Sequence, residues 1–190
     1  MGTPLYFFHV PKTGGASVRK AIGCNCGGGR DGKTRETLSG TDRCDTKTYA
    51  NGVTCLGHND KPPSDGKYAA ILRDPVTRLE SLAAYDNSNI HKFIEGHKQN
   101  KKTTVTERLK ANDGTQLENI TYLCFERLED DYKKLRSSSQ NGELWAETLP
   151  VIHPRDKTRK PTVVATADER EAILEIFEDD FKLWKLHCEV

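Results

Sequence analysis

The sequence predicts an α/β domain: a mostly parallel central sheet flanked by helices. Two observations carry that expectation. Segments 5–10, 53–56, 68–72 and 120–125 are short, apolar or β-branched, and bounded by polar or turn residues, as buried strands are. The first, third and fourth are each followed by helix-compatible sequence. Strands alternating with helices favour parallel pairing, because a parallel crossover needs a long connection and a helix supplies it.

The first strand, "LYFFHV", breaks into Pro11-Lys12-Thr13-Gly14-Gly15-Ala16-Ser17 and then into a charged, helix-compatible stretch reaching Ile22. Residues 23–52 are glycine-rich with almost no apolar periodicity and read as a loop. After "YAAIL" come Arg73, Asp74 and Pro75. Asp74 suits an N-cap and Pro75 the first helical position, so a helix is expected over "VTRLESLAAY". Residues 95–118 are polar and basic and also read as a loop. The strand "ITYLCF" leads into a helix-like "ERLEDDYKKL". One last helix is expected after Thr166 and Glu169, which form a capping-box pattern. Ile173, Leu174, Phe177, Phe181 and Trp184 lie on one face of that helix and imply core packing. Neither loop has a core of its own, so 1–190 reads as one domain with polar insertions near 23–52 and 95–118.

Composition narrows the partners. Hydrophobic residues make up 35% and charged residues 30%, with a formal net charge of +1. So small a charge gives no global pull toward nucleic acid, and any attraction for anions must be local. No apolar run is long enough to span a bilayer. The first residues lack a basic region followed by an apolar one, and Tyr6 stands where a myristoylation signal wants Ser or Thr. The expectation is a cytoplasmic protein, or one of the Golgi lumen if a targeting segment precedes this chain.

Of the six cysteines, Cys24, Cys26, Cys44 and Cys55 fall in or beside the glycine-rich segment. Free thiols rank first for them, disulfides second and zinc last, since loose Cys-x-Cys spacing with His58 nearby matches structural zinc patterns poorly. Cys124, inside an apolar strand, reads as a plain buried thiol.

The stretch after the first strand has the chemistry of an anion site. A helix N-terminus presents unpaired N–H groups and partial positive charge, and glycine lets an anion approach the backbone. Lys12 adds a full charge, and Thr13 and Ser17 add hydroxyls. It is not a Walker A loop, because Lys12 precedes Gly14 and Gly15 and no glycine lies four positions before them. A second constellation follows the third strand. Arg73 ends it where open α/β sheets place ligand contacts. Asp74, Arg78, Ser81 and Tyr85 follow at helical spacing. A guanidinium and a hydroxyl suit a second phosphate. The bland reading has Arg78 paired with Asp74 on the surface and Ser81 merely packed.

"FFHVPKTGGAS" followed by "LRDPVTRLESLAAY" resembles the carbohydrate sulfotransferase family that includes the heparan sulfate 2-O-sulfotransferases. "TYLCFERLEDDYKKL" and "ILEIFEDDFKLWKL" resemble that family's Glu-containing strand–helix element and its closing helix, so the likeness spans most of the chain. The resemblance implies a P-loop-like sulfotransferase fold and 3′-phosphoadenosine 5′-phosphosulfate (PAPS) as sulfuryl donor, with no metal. It implies that Lys12, Thr13, Gly14, Gly15, Ala16 and Ser17 hold the 5′-phosphosulfate, Lys12 stabilising the leaving group. Arg73 and Ser81, eight positions apart, would hold the 3′-phosphate. His58, in Leu56-Gly57-His58, takes the base role; the family's first histidine of His-Gly-His is absent. Asp60, His9 and His153 are weaker candidates, His9 reading as structural. The basic run of Arg155, Lys157, Arg159 and Lys160 is expected near the nucleotide or an acidic substrate. Ala16 stands where the family often has Thr or Ser. The chain is shorter than typical Golgi members, which points to a small glycan, a glycolipid or a metabolite hydroxyl as acceptor. Two other classes compete: a non-catalytic nucleotide- or sulfated-ligand-binding module, and a P-loop-like kinase, which would need magnesium.

Overall fold

The computed structural model describes residues 4–24, 46–49, 51–56, 60–99, 104–150 and 162–189. Strands β1 (Leu5–Phe8), β3 (Val53–Leu56), β4 (Lys67–Leu72) and β5 (Ile120–Cys124) form a parallel sheet in the order β3-β1-β4-β5. A short strand, β2 (Lys47–Thr48), pairs antiparallel on the outer edge of β3. The helices are α1 (Gly15–Ala21), α2 (Pro75–Asp86), α3 (Ile90–Gln99), α4 (Val105–Arg108), α5 (Leu128–Ser138), α6 (Ala167–Ile176) and α7 (Glu178–Cys188).

The pleat sorts the strand side chains onto two covered faces. Phe7, Cys55, Ala69, Ile71 and Leu123 pack with Val18 of α1 and Tyr132 and Leu135 of α5. Phe8, Leu56, Ala70, Leu72 and Cys124 point the other way, toward Val105, Leu109 and the end of α7. A third cluster joins α2, α3 and α6 through Leu79, Ile94 and Ile173. Local signals placed several ends correctly. The Asp74 carboxylate accepts from Thr77 N at 2.8 Å, with Pro75 as first helical residue. The Thr166–Glu169 capping box is also formed.

Four expectations need correction. Residues 95–118 are not a plain loop: they carry the end of α3 and all of α4, and Val105, Leu109, Ala111 and Leu117 are buried against the sheet. The apolar residues there are too few and too scattered among charges to show periodicity. The last helix is two, α6 and α7, broken at Phe177. Cys124 is not a free thiol but is bonded to Cys188, because α7 returns its end to the tip of β5 and brings the Cα atoms within 5.4 Å. Cys24 and Cys55 are likewise joined, which removes both from the thiol and zinc readings. Cys26 and Cys44 lie outside the described residues.

No helix among the described residues is long and apolar enough to cross a membrane.

Candidate functional site

With four parallel strands, every strand's C-terminal end lies on one edge of the sheet. From β1 the chain goes to β3 on one side, then crosses to β4 and β5 on the other. The switch point therefore lies between β1 and β4, where such sheets place ligands. The segments that leave β1 and β4 there are the Lys12 loop and Arg73.

The loop is a tight left-handed turn. Lys12 has φ 65° and Gly14 φ 84°, a region that side-chain-bearing residues enter at a cost. The hydroxyl of Thr13, fully buried, donates to Val10 O at 2.9 Å. That hydroxyl holds the turn, where the sequence reading offered it to an anion. The glycines are also explained by the protein's own packing. A Cβ on Gly14 would lie 2.8 Å from Leu128 Cδ2, and one on Gly15 would lie 2.5 Å from His9 Cδ2. Ala16 is exposed and Ser17 half-buried. Ser17 shares a shallow pocket of about 470 Å³ with Glu126, Glu129 and Asp130, a wall whose charge opposes an anion.

The two motifs meet directly. Arg73 Nη1 donates to the Lys12 carbonyl at 3.0 Å, and its Nε donates to Thr77 Oγ1 at 3.2 Å. The Arg73 guanidinium lies over the Phe125 ring at 4.1 Å. Half-burial pushes its pKa below the ordinary arginine value, with Glu126, Asp74 and Glu80 acting the other way. The Lys12 ammonium sits 3.1 Å from the centroid of the Tyr85 ring. Residues 73, 77, 81 and 85 follow one another at the i+4 spacing. Ser81 therefore lies one turn from Arg73's partner and one turn from Lys12's partner.

Arg78 does not share that face, nor does it pair with Asp74. It is buried and bonded to Asp180 of α7 at 3.3 Å. Burial pushes the Arg78 pKa down, and the Asp180 charge opposes the shift. Asp180 also accepts from Val105 N at 2.8 Å, Thr106 N at 2.9 Å and Thr106 Oγ1 at 3.0 Å. This network fixes α4 against α2 and α7.

A cleft of about 1230 Å³ is not lined by Lys12 or Arg73. Its walls come from the end of β1, from α4 and from the α6–α7 junction. His9 links it to the loop, since its ring lines the cleft and also packs on Gly15. Its Nδ1 is 3.0 Å from Arg19 Nη1, and an arginine only donates, so Nδ1 is the acceptor. The sequence reading takes His9 as structural and did not foresee its place on the cleft wall. Phe125, which supports Arg73, was missed too; only its place at the end of a strand hinted at it. His58, His153, Arg155, Lys157, Arg159 and Lys160 lie outside the described residues.

Among the described residues no group of three or more His, Cys, Asp or Glu side chains could hold a metal. Comparison of the chain with protein-family models, with curated proteins and with solved structures finds no match.

Proposed function

We propose that this chain is a sulfotransferase that moves a sulfuryl group from PAPS to an acceptor hydroxyl of a carbohydrate. One observation carries the reading: Arg73 holds the Lys12 carbonyl at the switch point of a parallel sheet, with Ser81 on the helix stripe between the partners of the two cations. Two cations anchored on one helix, at Thr77 and two turns on at Tyr85, suit a donor with two phosphate-bearing ends.

In this reading Lys12 neutralises charge that develops on the leaving 5′-phosphate. Arg73 grips the 3′-phosphate with its planar fork and Ser81 adds a hydroxyl. The acceptor oxygen forms a bond to sulfur as the sulfur–oxygen bond to the leaving phosphate breaks. The hydroxyl proton passes to a base, the role assigned to His58 by the sequence resemblance. Positioning and fixed charge supply most of the rate, as in phosphoryl transfer. The two disulfides favour an oxidising, secreted or lumenal compartment over the cytoplasm expected from the first residues.

The test is calorimetric titration with 3′-phosphoadenosine 5′-phosphate, ATP and AMP, with and without magnesium. Binding of the bisphosphate alone, indifferent to magnesium, is the expected result. Preference for ATP with magnesium would replace this reading with a kinase, and no binding of any nucleotide would remove the donor site.

A further inference from the structure

The chain holds one Asn-x-Ser/Thr triplet, Asn119-Ile120-Thr121, placed where β5 begins. Such a triplet accepts an N-linked glycan where its asparagine is on the surface and the chain passes through a glycosylating lumen. Both conditions have observations behind them in this fold.

Asn119 is exposed, and so is Thr121 two positions on. The backbone at Asn119 is nevertheless held. Its φ is 55°, and Tyr68 N donates to its carbonyl at 3.4 Å. Asparagine enters the left-handed region more readily than most residues, so the main chain joins the sheet while the side chain stays in water. The chain leading to it, residues 112–116 and 118, is exposed as well. A bulky hydrophilic group on Asn119 therefore displaces none of the packed residues just before it.

The position also suits a working protein. Asn119 precedes the N-terminal end of β5, the edge strand beside β4. In a parallel sheet that end lies opposite the strand exits that carry Lys12, Arg73 and Phe125. A rise of about 3.3 Å per residue puts Asn119 roughly 20 Å from Phe125 along the strand. The second condition comes from the Cys24–Cys55 and Cys124–Cys188 bridges, which favour an oxidising, secreted or lumenal compartment.

We propose that Asn119 is an N-glycosylation site, occupied when the chain crosses such a lumen, with the glycan on the sheet edge away from the Lys12–Arg73 site. The donor is a lipid pyrophosphate-linked oligosaccharide. Its anomeric carbon forms a bond to Asn119 Nδ2 as its bond to the pyrophosphate oxygen breaks. The lipid pyrophosphate leaves with the bonding pair, and one amide proton is released. The inference rests on the compartment read from the two bridges and is independent of the sulfotransferase reading.

The experiment is expression of the full chain behind a cleavable secretory signal in a secreting eukaryotic cell, with a known glycoprotein as control. Cells and medium are both analysed by gel mobility before and after peptide N-glycosidase, and by peptide mass spectrometry. The expected result is a mobility shift that the enzyme removes, leaving aspartate at position 119. Asn119→Gln and Thr121→Val lose the shift, whereas Thr121→Ser keeps it. Valine retains the β-branched shape the strand favours and lacks the hydroxyl, so it separates the signal from the fold. An unshifted wild type beside a shifted control, or a shift that persists in both loss variants, would overturn the proposal. Titration of the glycosylated and enzyme-treated samples with 3′-phosphoadenosine 5′-phosphate should give equal affinities. Weaker binding by the glycosylated sample alone would overturn the placement away from the site. Binding by neither sample, with the glycan present, removes only the donor site. Alkylation of the bridge cysteines in the glycosylated sample removes only the compartment reading.

Discussion

The guanidinium of Arg73 donates to the main-chain carbonyl of Lys12 across 3.0 Å, although 61 positions separate the two residues. The bond ties the exit of β4 to the exit of β1. It gives Arg73 two jobs, holding the left-handed turn at Lys12 and presenting a planar cation beside it. Substitutions of this residue should therefore report on both.

Arg73→Ala should weaken binding of 3′-phosphoadenosine 5′-phosphate by about tenfold to a hundredfold, the range for losing charge-assisted hydrogen bonds. Arg73→Lys should recover little, because an ammonium cannot serve the carbonyl, Thr77 and a phosphate in one plane. Calorimetry on both variants checks this, and full recovery by lysine would contradict the fork argument.

Gly14→Ala should destabilise the fold by about 1–3 kcal/mol. The new methyl must accept φ 84° and displace Leu128, whose Cδ2 would be 2.8 Å away. Urea unfolding measures the loss. An unchanged midpoint would mean that the turn relaxes without strain.

Asp180→Ala leaves Arg78 buried without its counter-ion and frees two backbone amides of α4. Breaking one partner of a buried pair costs about 3–5 kcal/mol. The variant should unfold at clearly lower urea, whereas removing the exposed pair of Lys182 and Glu178 should leave the midpoint nearly unchanged.

Burial pushes the Tyr132 phenol up to about 12, Arg136 opposing the shift and Glu129 adding to it. The unfolded chain loses this proton near the ordinary value of 10.0, so above it the unfolded state binds fewer protons and stability falls. The contribution is complete below pH 10 and is lost as pH rises to about 12. Tyr132→Phe removes the bond to Ala146 O at 2.6 Å, costing about 1 kcal/mol near neutrality. It should also flatten the alkaline limb of a stability–pH curve. An identical limb in wild type and variant would show that other groups set it.

Cys188→Ser opens the Cys124 bridge, which spans 64 positions, and should cost about 2–4 kcal/mol. Mass spectrometry after alkylation without reductant should find Cys24, Cys55, Cys124 and Cys188 unmodified in the native chain. Labelling of any of these four would refute its bridge.

Local chemistry set whatever acts over a few residues. Strand patterns, the Asp74 cap with Pro75, and the Thr166–Glu169 box were legible because period and capping are local. The two motifs of the candidate site were legible for the same reason, each being one strand exit. Tertiary structure decided the rest. It joined Lys12 to Arg73, turned Arg78 inward to Asp180 at a separation of 102 positions, and closed Cys124 on Cys188. It also turned the Thr13 hydroxyl inward and filled the space beside Gly14 and Gly15 with Leu128 and His9. These facts depend on strand order and on where α5 and α7 return to the sheet. Long-range packing sets both, and a local pattern does not encode it.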